Sequence, residues 1–437
     1  MPICRSRLAG IIFLILSVFT ASDTRAAEAK KGDSEFGVPT KAQLEWADLE
    51  FGMFTHLGPR KLPDNLTYEK FNADVLVDCA VAMGARYVLV VAKHNDGFTW
   101  FQTKTKITRG IQLTPYKGGK GDVVGEIAAA CRKRKLGLAI YLCPADATAK
   151  ARDGGITEDP ARQEAYYTEY LGKLTEVCTN YGPLVELWFD GGINPDLFER
   201  IRKVVMQFQP KAVCYQGPVN SARWIGNEHG VAPLPYWNRI AAEDHSRFST
   251  KLVSGTPRGA FWVPAESDTP LQGGWRGGKP RNLETLVKLY YETVGHGSQL
   301  TLNVAPEVDG SVDPLAQQRA RELGIEIRRA IGSPLASTRS HQLPMVLNLA
   351  RFREIDHLIV QEDLRHGENV LKHRIEGLTR DGWKTLAEGE NIGHKRIYKI
   401  EPIEVSQVKV TITDSLGSPT LRNLAVTRTG VTAKLSK

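Results

Sequence analysis

The sequence predicts an α/β protein: a (β/α)8-like barrel over residues 36–332, followed by an antiparallel β-sandwich over 340–437. Three observations carry that prediction. Apolar, β-branched runs alternate with amphipathic helical patterns at the spacing of repeated strand–helix units. The strands are apolar throughout rather than at every second position, as in a parallel sheet covered on both faces. No glycine-rich phosphate loop follows the first strand, which counts against a doubly wound nucleotide-binding sheet.

Residues 1–26 have the order of a secretory signal: Arg5 and Arg7, an apolar run over 8–16, and a small-residue end at Ala26. That run is too short to span a bilayer, and no later run of about 18 apolar residues occurs. An exported chain, periplasmic or extracellular and without a membrane span, is expected. Residues 50–56 read as the first strand, closed by His56. Residues 75–83 are helical, with Val75, Cys79 and Ala82 on one face, and 87–92 form the second strand. Asp122 is the expected cap of a helix over 122–135 whose inner stripe is Val123, Ile127, Ala130 and Cys131. A strand over 138–142, a helix over 162–179 and an apolar run over 183–189 follow; the last ends at Asp190-Gly191-Gly192. A helix over 195–209 leads to a short strand at 212–215. Residues 216–282 are rich in Gly, Pro and Trp with little periodicity, and read as a long irregular insertion of functional-loop type. A helix over 283–294, a strand over 299–304 and a helix over 314–331 complete the barrel. Beyond Gly332-Ser333-Pro334 the pattern changes to short alternating runs, 357–360, 370–375 and 408–412, with turns such as Arg380-Asp381-Gly382. That is the pattern of a small sandwich.

The formal net charge of +8 over 437 residues is scattered. The one basic cluster, 132–135, is the polar end of a helix, and no basic stripe interleaved with aromatics marks a nucleic-acid partner. Cys79, Cys131, Cys143, Cys178 and Cys214 lack CxxC spacing and sit in apolar segments, so buried thiols rather than a metal site are expected.

Strand ends on one rim of a barrel are where its chemistry gathers. Here they bring His56, His94 with Asn95, Tyr141 and Asp190 to a single face. Trp100, Trp188, Trp224, Trp237 and Trp275 fall in the same segments, as a site gripping the apolar face of a sugar requires. Glycoside hydrolysis is the leading class, and it needs a second carboxyl group. Glu228, in Arg223-Trp224-Ile225-Gly226-Asn227-Glu228, and Glu266, in Pro264-Ala265-Glu266-Ser267-Asp268, are the two candidates. Both have tryptophans nearby that would raise an acid toward neutrality.

At this point the chain resembles glycoside hydrolase family 29, the retaining α-L-fucosidases. The resemblance rests on residues 51–56 (FGMFTH), 84–98 (GARYVLVVAKHNDGF), 122–126 (DVVGE), 187–191 (LWFDG) and 300–306 (LTLNVAP) with Asp309-Gly310, in the family's order across 36–331. The string from Arg223 to Glu228 is similar to the subgroup that prefers α-1,3/α-1,4-linked fucose. The resemblance implies that Asp190 is the nucleophile and Glu228 the acid/base. His56, His94, Asn95, Tyr141, Trp188, Trp224, Glu266 and Trp275 then become substrate-binding, with a fucosylated glycan as substrate and no cofactor or metal. Asn95 stands where the family has a second histidine, Leu57 where it has an aromatic, and the loop over 58–68 is short. Residues 389–397 with Trp383 resemble a discoidin-like (F5/8 type C) sandwich. A silent fucose-binding protein, prompted by Asn95, and a same-scaffold glycosidase acting on a related sugar such as α-L-galactose are the alternatives.

Overall fold

The computed structural model describes residues 36–58, 66–241, 254–340 and 342–430; the signal-like segment 1–26 lies outside them. Eight parallel strands close a barrel in the order in which they occur: β1 (Phe51–Thr55), β2 (Tyr87–Lys93), β3 (Gly137–Leu142), β4 (Glu186–Trp188), β5 (Val213–Tyr215), β6 (Ser221–Trp224), β7 (Ala265–Pro270) and β8 (Gln299–Asn303). β8 closes on β1, with Phe54 opposite Asn303. Every residue of β1 and β2 is buried, because helices cover the outside and side chains fill the inside. α1 (Lys41–Ala47) precedes the barrel. α2 (Ala73–Met83), α3 (Val123–Arg134), α4 (Gln163–Asn180) and α5 (Pro195–Phe208) link the first five strands, and α6 (Leu283–Thr293) and α7 (Pro314–Ile331) flank β8. Asp122 caps α3 as expected, accepting from the Gly125 N–H at 2.8 Å.

The insertion read over 216–282 is corrected. Two of the eight barrel strands, β6 and β7, lie within it, and the connections β5–β6 and β6–β7 contain no helix among the described residues. The physical reason is polarity. β7 reads Ala-Glu-Ser-Asp-Thr-Pro, yet Glu266, Ser267, Asp268 and Thr269 are all buried. Their polar atoms find partners inside the barrel, as buried polar groups must, so the strand carries no apolar run to reveal it.

The C-terminal part is a six-stranded antiparallel sheet of β9 (Ala336–Thr338), β10 (Met345–Glu362), β11 (Val370–Thr379), β12 (Gly382–Gly389), β13 (Arg396–Ser415) and β14 (Leu421–Thr427), in the order β9-β14-β10-β13-β11-β12. The short runs in the sequence are pieces of the long strands β10 and β13, of 18 and 20 residues, and of β11. The pairing of β10 with β13 slips between Asn348 and Arg353 and again between Ile355 and His357. Such bulges bend strands, and the sheet encloses its own core of Leu347, Leu358, Val360, Ile375, Val408 and Leu424. A barrel with a C-terminal antiparallel β-sandwich is the observed class.

Barrel and sheet meet along a polar seam. Asp48 at the end of α1 receives His394 Nε2 at 2.8 Å and Arg422 at 2.7 Å, and Lys395 pairs with Glu50. Glu368 is fully buried and accepts from both the backbone and the side-chain N–H of Asn238, at 2.9 and 2.5 Å. Arg239 donates to the Glu368 carbonyl at 2.5 Å. Burial pushes the Glu368 carboxyl up to about 7, against the pull of Asn238 and Arg239. The segment 389–397, singled out above for its likeness to a discoidin-like sandwich, thus meets the barrel: Asn391 donates to the Tyr236 carbonyl, and His394 and Lys395 hold the α1–β1 corner. The five cysteines named above are free and buried, as expected. No helix among the described residues is long and apolar enough to cross a membrane.

Candidate active site

A cleft of about 1180 Å³ opens at the C-terminal ends of the barrel strands. His56, His94, Asn95, Tyr141, Trp188, Asp190, Trp224, Glu228 and Trp275 all line it. Glu266 does not.

His56 follows β1 and is held by Asn303 at the end of β8. The Asn303 Oδ1 accepts from the His56 backbone N–H at 3.0 Å and lies 2.9 Å from its Nδ1, while the Asn303 amide N donates to the Trp275 carbonyl at 3.0 Å. An oxygen that already accepts the backbone N–H requires Nδ1 to be the protonated nitrogen. Nε2 is left as an acceptor for a sugar hydroxyl. Burial, then the Arg276 guanidinium and then His94, hold His56 well below the usual imidazole range. It is neutral at neutral pH. His94, after β2, is also lowered, by burial and then Arg276, against the pull of Asn95 and Asp190; its ring stacks on Tyr141 at 5.3 Å. Asn95 sits exposed on the rim, its Oδ1 2.7 Å from His94 Nδ1.

Asp190 follows β4. The Tyr141 hydroxyl donates to its Oδ2 at 2.9 Å, and Cys143 Sγ lies 3.3 Å from its carbonyl. Gly191 has φ +84°, and a Cβ there would stand 2.8 Å from an Asp153 oxygen; glycine lets the chain turn away and leave the carboxylate in the cleft. Trp188, two residues earlier, forms the floor: it stacks on Tyr215 at 3.6 Å and 7° and meets Phe54 edge-on at 5.1 Å. Glu228 sits in the turn after β6, its Oε2 accepting from Trp275 Nε1 at 3.1 Å. Each of the two acids thus accepts a hydrogen bond from an aromatic side chain, Tyr141 or Trp275.

Several residues in or around the cleft escaped the sequence. Asp268 accepts from Trp224 Nε1 at 2.8 Å and lines the cleft. Burial, with further repulsion from Glu266, Glu228 and Asp190, raises its carboxyl well above the ordinary range, against the pull of Trp224. Arg276 reaches over to the Leu57 and Gly58 carbonyls at 2.8 and 3.2 Å. The alternation of β7 puts Glu266 and Asp268 on one face, a signal lost when 216–282 is read as loop. Trp100 packs with Tyr68 and Phe98 in the outer core, and Trp237 is buried, its backbone N–H donating to the Ser254 carbonyl. Neither lines the cleft.

The rim itself is braced by a buried ion pair. Lys93, the last residue of β2, donates to the Ala145 carbonyl at 2.7 Å and pairs with Asp146 at 3.4 Å, both side chains almost wholly inaccessible. Burial alone would push Asp146 up; Lys93 and Thr148 hold it below the usual carboxylate range. Lys93→Met leaves that carboxylate buried without its ion-pair partner, and a loss of about 3 kcal/mol in unfolding free energy is expected. Denaturant midpoints at pH 7 measure it. Among the described residues no group of His, Cys, Asp and Glu is arranged to hold a metal ion.

The α-L-fucosidase family model matches residues 60–328. A rice (Oryza sativa subsp. japonica) protein provisionally named α-L-fucosidase 1 is 31% identical over 87% of this chain and 83% of its own length. The α-L-fucosidase 1 of Arabidopsis thaliana is 29% identical over 69% of this chain, which spans 62% of that protein. A solved structure from Bacteroides thetaiotaomicron, provisionally described as an α-L-fucosidase, superposes with a TM-score of 0.80 at 27% identity, covering 90% of this chain and 99% of the other.

Proposed function

Because the chain belongs to the α-L-fucosidase family, glycoside hydrolase family 29, we propose that it is an exo-acting, retaining hydrolase of terminal α-linked fucose in which Asp190 is the nucleophile and Glu228 the acid/base. The observation that carries this reading is the shared cleft: the two acids face one space, Asp190 aimed by Tyr141 and Glu228 by Trp275. In the first step an Asp190 oxygen bonds to the anomeric carbon as the bond to the departing oxygen breaks, and Glu228 gives that oxygen its proton. In the second, Glu228 takes a proton from water, whose oxygen displaces Asp190 from the anomeric carbon. Two inversions restore the starting configuration. Nε2 of neutral His56 accepts from a ring hydroxyl, and the aromatic walls accommodate the C5 methyl that replaces a hydroxymethyl in fucose.

A preference for α-1,3/α-1,4 linkages is part of the proposal, supported by the string from Arg223 to Glu228. So are export, from the composition of residues 1–26, and a discoidin-like C-terminal sandwich, whose placement against the barrel supports a bracing role. Proton NMR of the first-formed sugar from an α-fucoside tests the mechanism. The α anomer is expected to appear first and then mutarotate; a β anomer appearing first rejects double displacement.

A further inference from the structure

Beneath the cleft floor lie two carboxyl groups that the proposed chemistry does not use. Glu186 on β4 and Glu266 on β7 are both fully buried, and they converge on one shared donor in the barrel interior. The Trp188 indole N–H reaches both, 2.6 Å from Oε2 of Glu266 and 3.0 Å from Oε1 of Glu186. The Tyr87 hydroxyl donates to the remaining oxygen of Glu266 at 2.8 Å. Two neighbouring carboxyl groups away from water cannot both ionise, so the pair retains a proton. Donor supply decides where that proton sits. Glu266 receives Tyr87 on one oxygen and Trp188 on the other, whereas Glu186 has only the longer contact to Trp188 and its Oε2 has no donor at hydrogen-bonding distance among the described residues. Burial lifts both groups; the neighbouring Glu266 lifts Glu186 further, against the pull of Trp46 and Trp188, while for Glu266 the surrounding donors pull back.

We propose that Glu266, held as the carboxylate of the pair by Tyr87 and Trp188 while Glu186 keeps the proton, is a positioning residue that locks Trp188 as the floor of the sugar site and sets a negative charge beneath it. The inference rests on reading the cleft as a fucoside-hydrolysing site. Its use follows from the charge of the reaction. The transition state of glycoside cleavage is oxocarbenium-like and positive, while the bound substrate is neutral. An indole whose N–H is donated to an anion offers a more electron-rich face, and the fixed charge favours the cation over the neutral sugar. An interaction that strengthens only as charge develops raises turnover rather than affinity.

The test uses Glu266→Gln and Glu186→Gln in the full chain. For Glu266→Gln, kcat for an α-fucoside should fall by about 10²-fold with KM changed by less than about threefold, the pattern of a lost preorganised charge. Glu186→Gln is the conservative variant, since it stays neutral and nearly isosteric beside Glu266, and it should lower kcat by no more than about threefold. Calorimetry with fucose and with a fucose-configured, protonated iminosugar separates charge from packing. Relative to fucose, the cationic ligand should bind about tenfold or more weakly to the Glu266→Gln variant than to wild type. Equal losses for both ligands, or equal kcat losses in the two variants, overturn the inference and leave Asp190 and Glu228 untouched. A wild type that binds neither ligand overturns the reading of the cleft and this inference with it. If the Glu266→Gln variant does not fold, infrared difference spectra of wild type against Glu186→Gln at neutral pH decide: loss of a protonated-carboxyl band supports the assignment, and its absence rejects it.

Discussion

Asp190→Asn is expected to lower fucoside turnover by on the order of 10⁴–10⁶-fold while fucose still binds. The substitution is nearly isosteric. The new amide oxygen can accept the Tyr141 hydroxyl in place of the carboxylate oxygen now at 2.9 Å, and Phe54, Trp188 and Trp275 keep their mutual packing. What is lost is the nucleophile: an amide does not form a stable glycosyl intermediate, and no other acid at the end of β4 replaces it. Loss of kcat with a fucose affinity unchanged by calorimetry is the expected outcome. Full activity in the variant rejects the assignment.

Removing the second acid should give a different signature. Glu228→Ala is expected to slow cleavage of oligosaccharides by about 10²–10⁴-fold, the contribution of a positioned general acid. Aryl fucosides with acidic phenols should suffer far less in the first step, because their departing oxygen needs no proton. Azide should then restore turnover by attacking the glycosyl-enzyme without a general base, yielding fucosyl azide of retained configuration. The Trp275 indole, which now donates to Glu228 at 3.1 Å, is left facing an open rim rather than a sealed core, so stability should change little. Azide rescue of Glu266→Ala instead would move the role to a residue that the fold has closed off from the cleft.

Strand ends carried most of what the sequence could tell. His56, His94, Tyr141 and Asp190 are legible because each ends or adjoins an apolar run, and a parallel barrel sends all such ends to one rim. Strands β6 and β7 are illegible for the opposite reason: their buried faces are polar and draw on partners elsewhere in the barrel. Misreading them as loop left Asp268 unseen and placed Glu266 beside the substrate rather than beneath it. A tryptophan neighbour marks a glutamate equally well in either position. Asn303, which fixes the tautomer of His56, lies 247 residues away in the chain. No spacing rule spans that; only closure of β8 on β1 brings the two together. Trp100 and Trp237 share the composition of the site without facing it, as large aromatics serve cores and clefts alike.

The buried contact of Glu368 with Asn238 and Arg239 bears on how such a protein can be reshuffled. The two sides of that contact are 130 residues apart in the chain, one in the barrel and one in the sheet, and each answers an electrostatic need that the other half creates. A donor barrel grafted onto a foreign sandwich would inherit a guanidinium and an amide each short of a partner, in a buried place. The appended sheet is therefore no interchangeable accessory. It travels with its own barrel, or both halves must be recut along the same join.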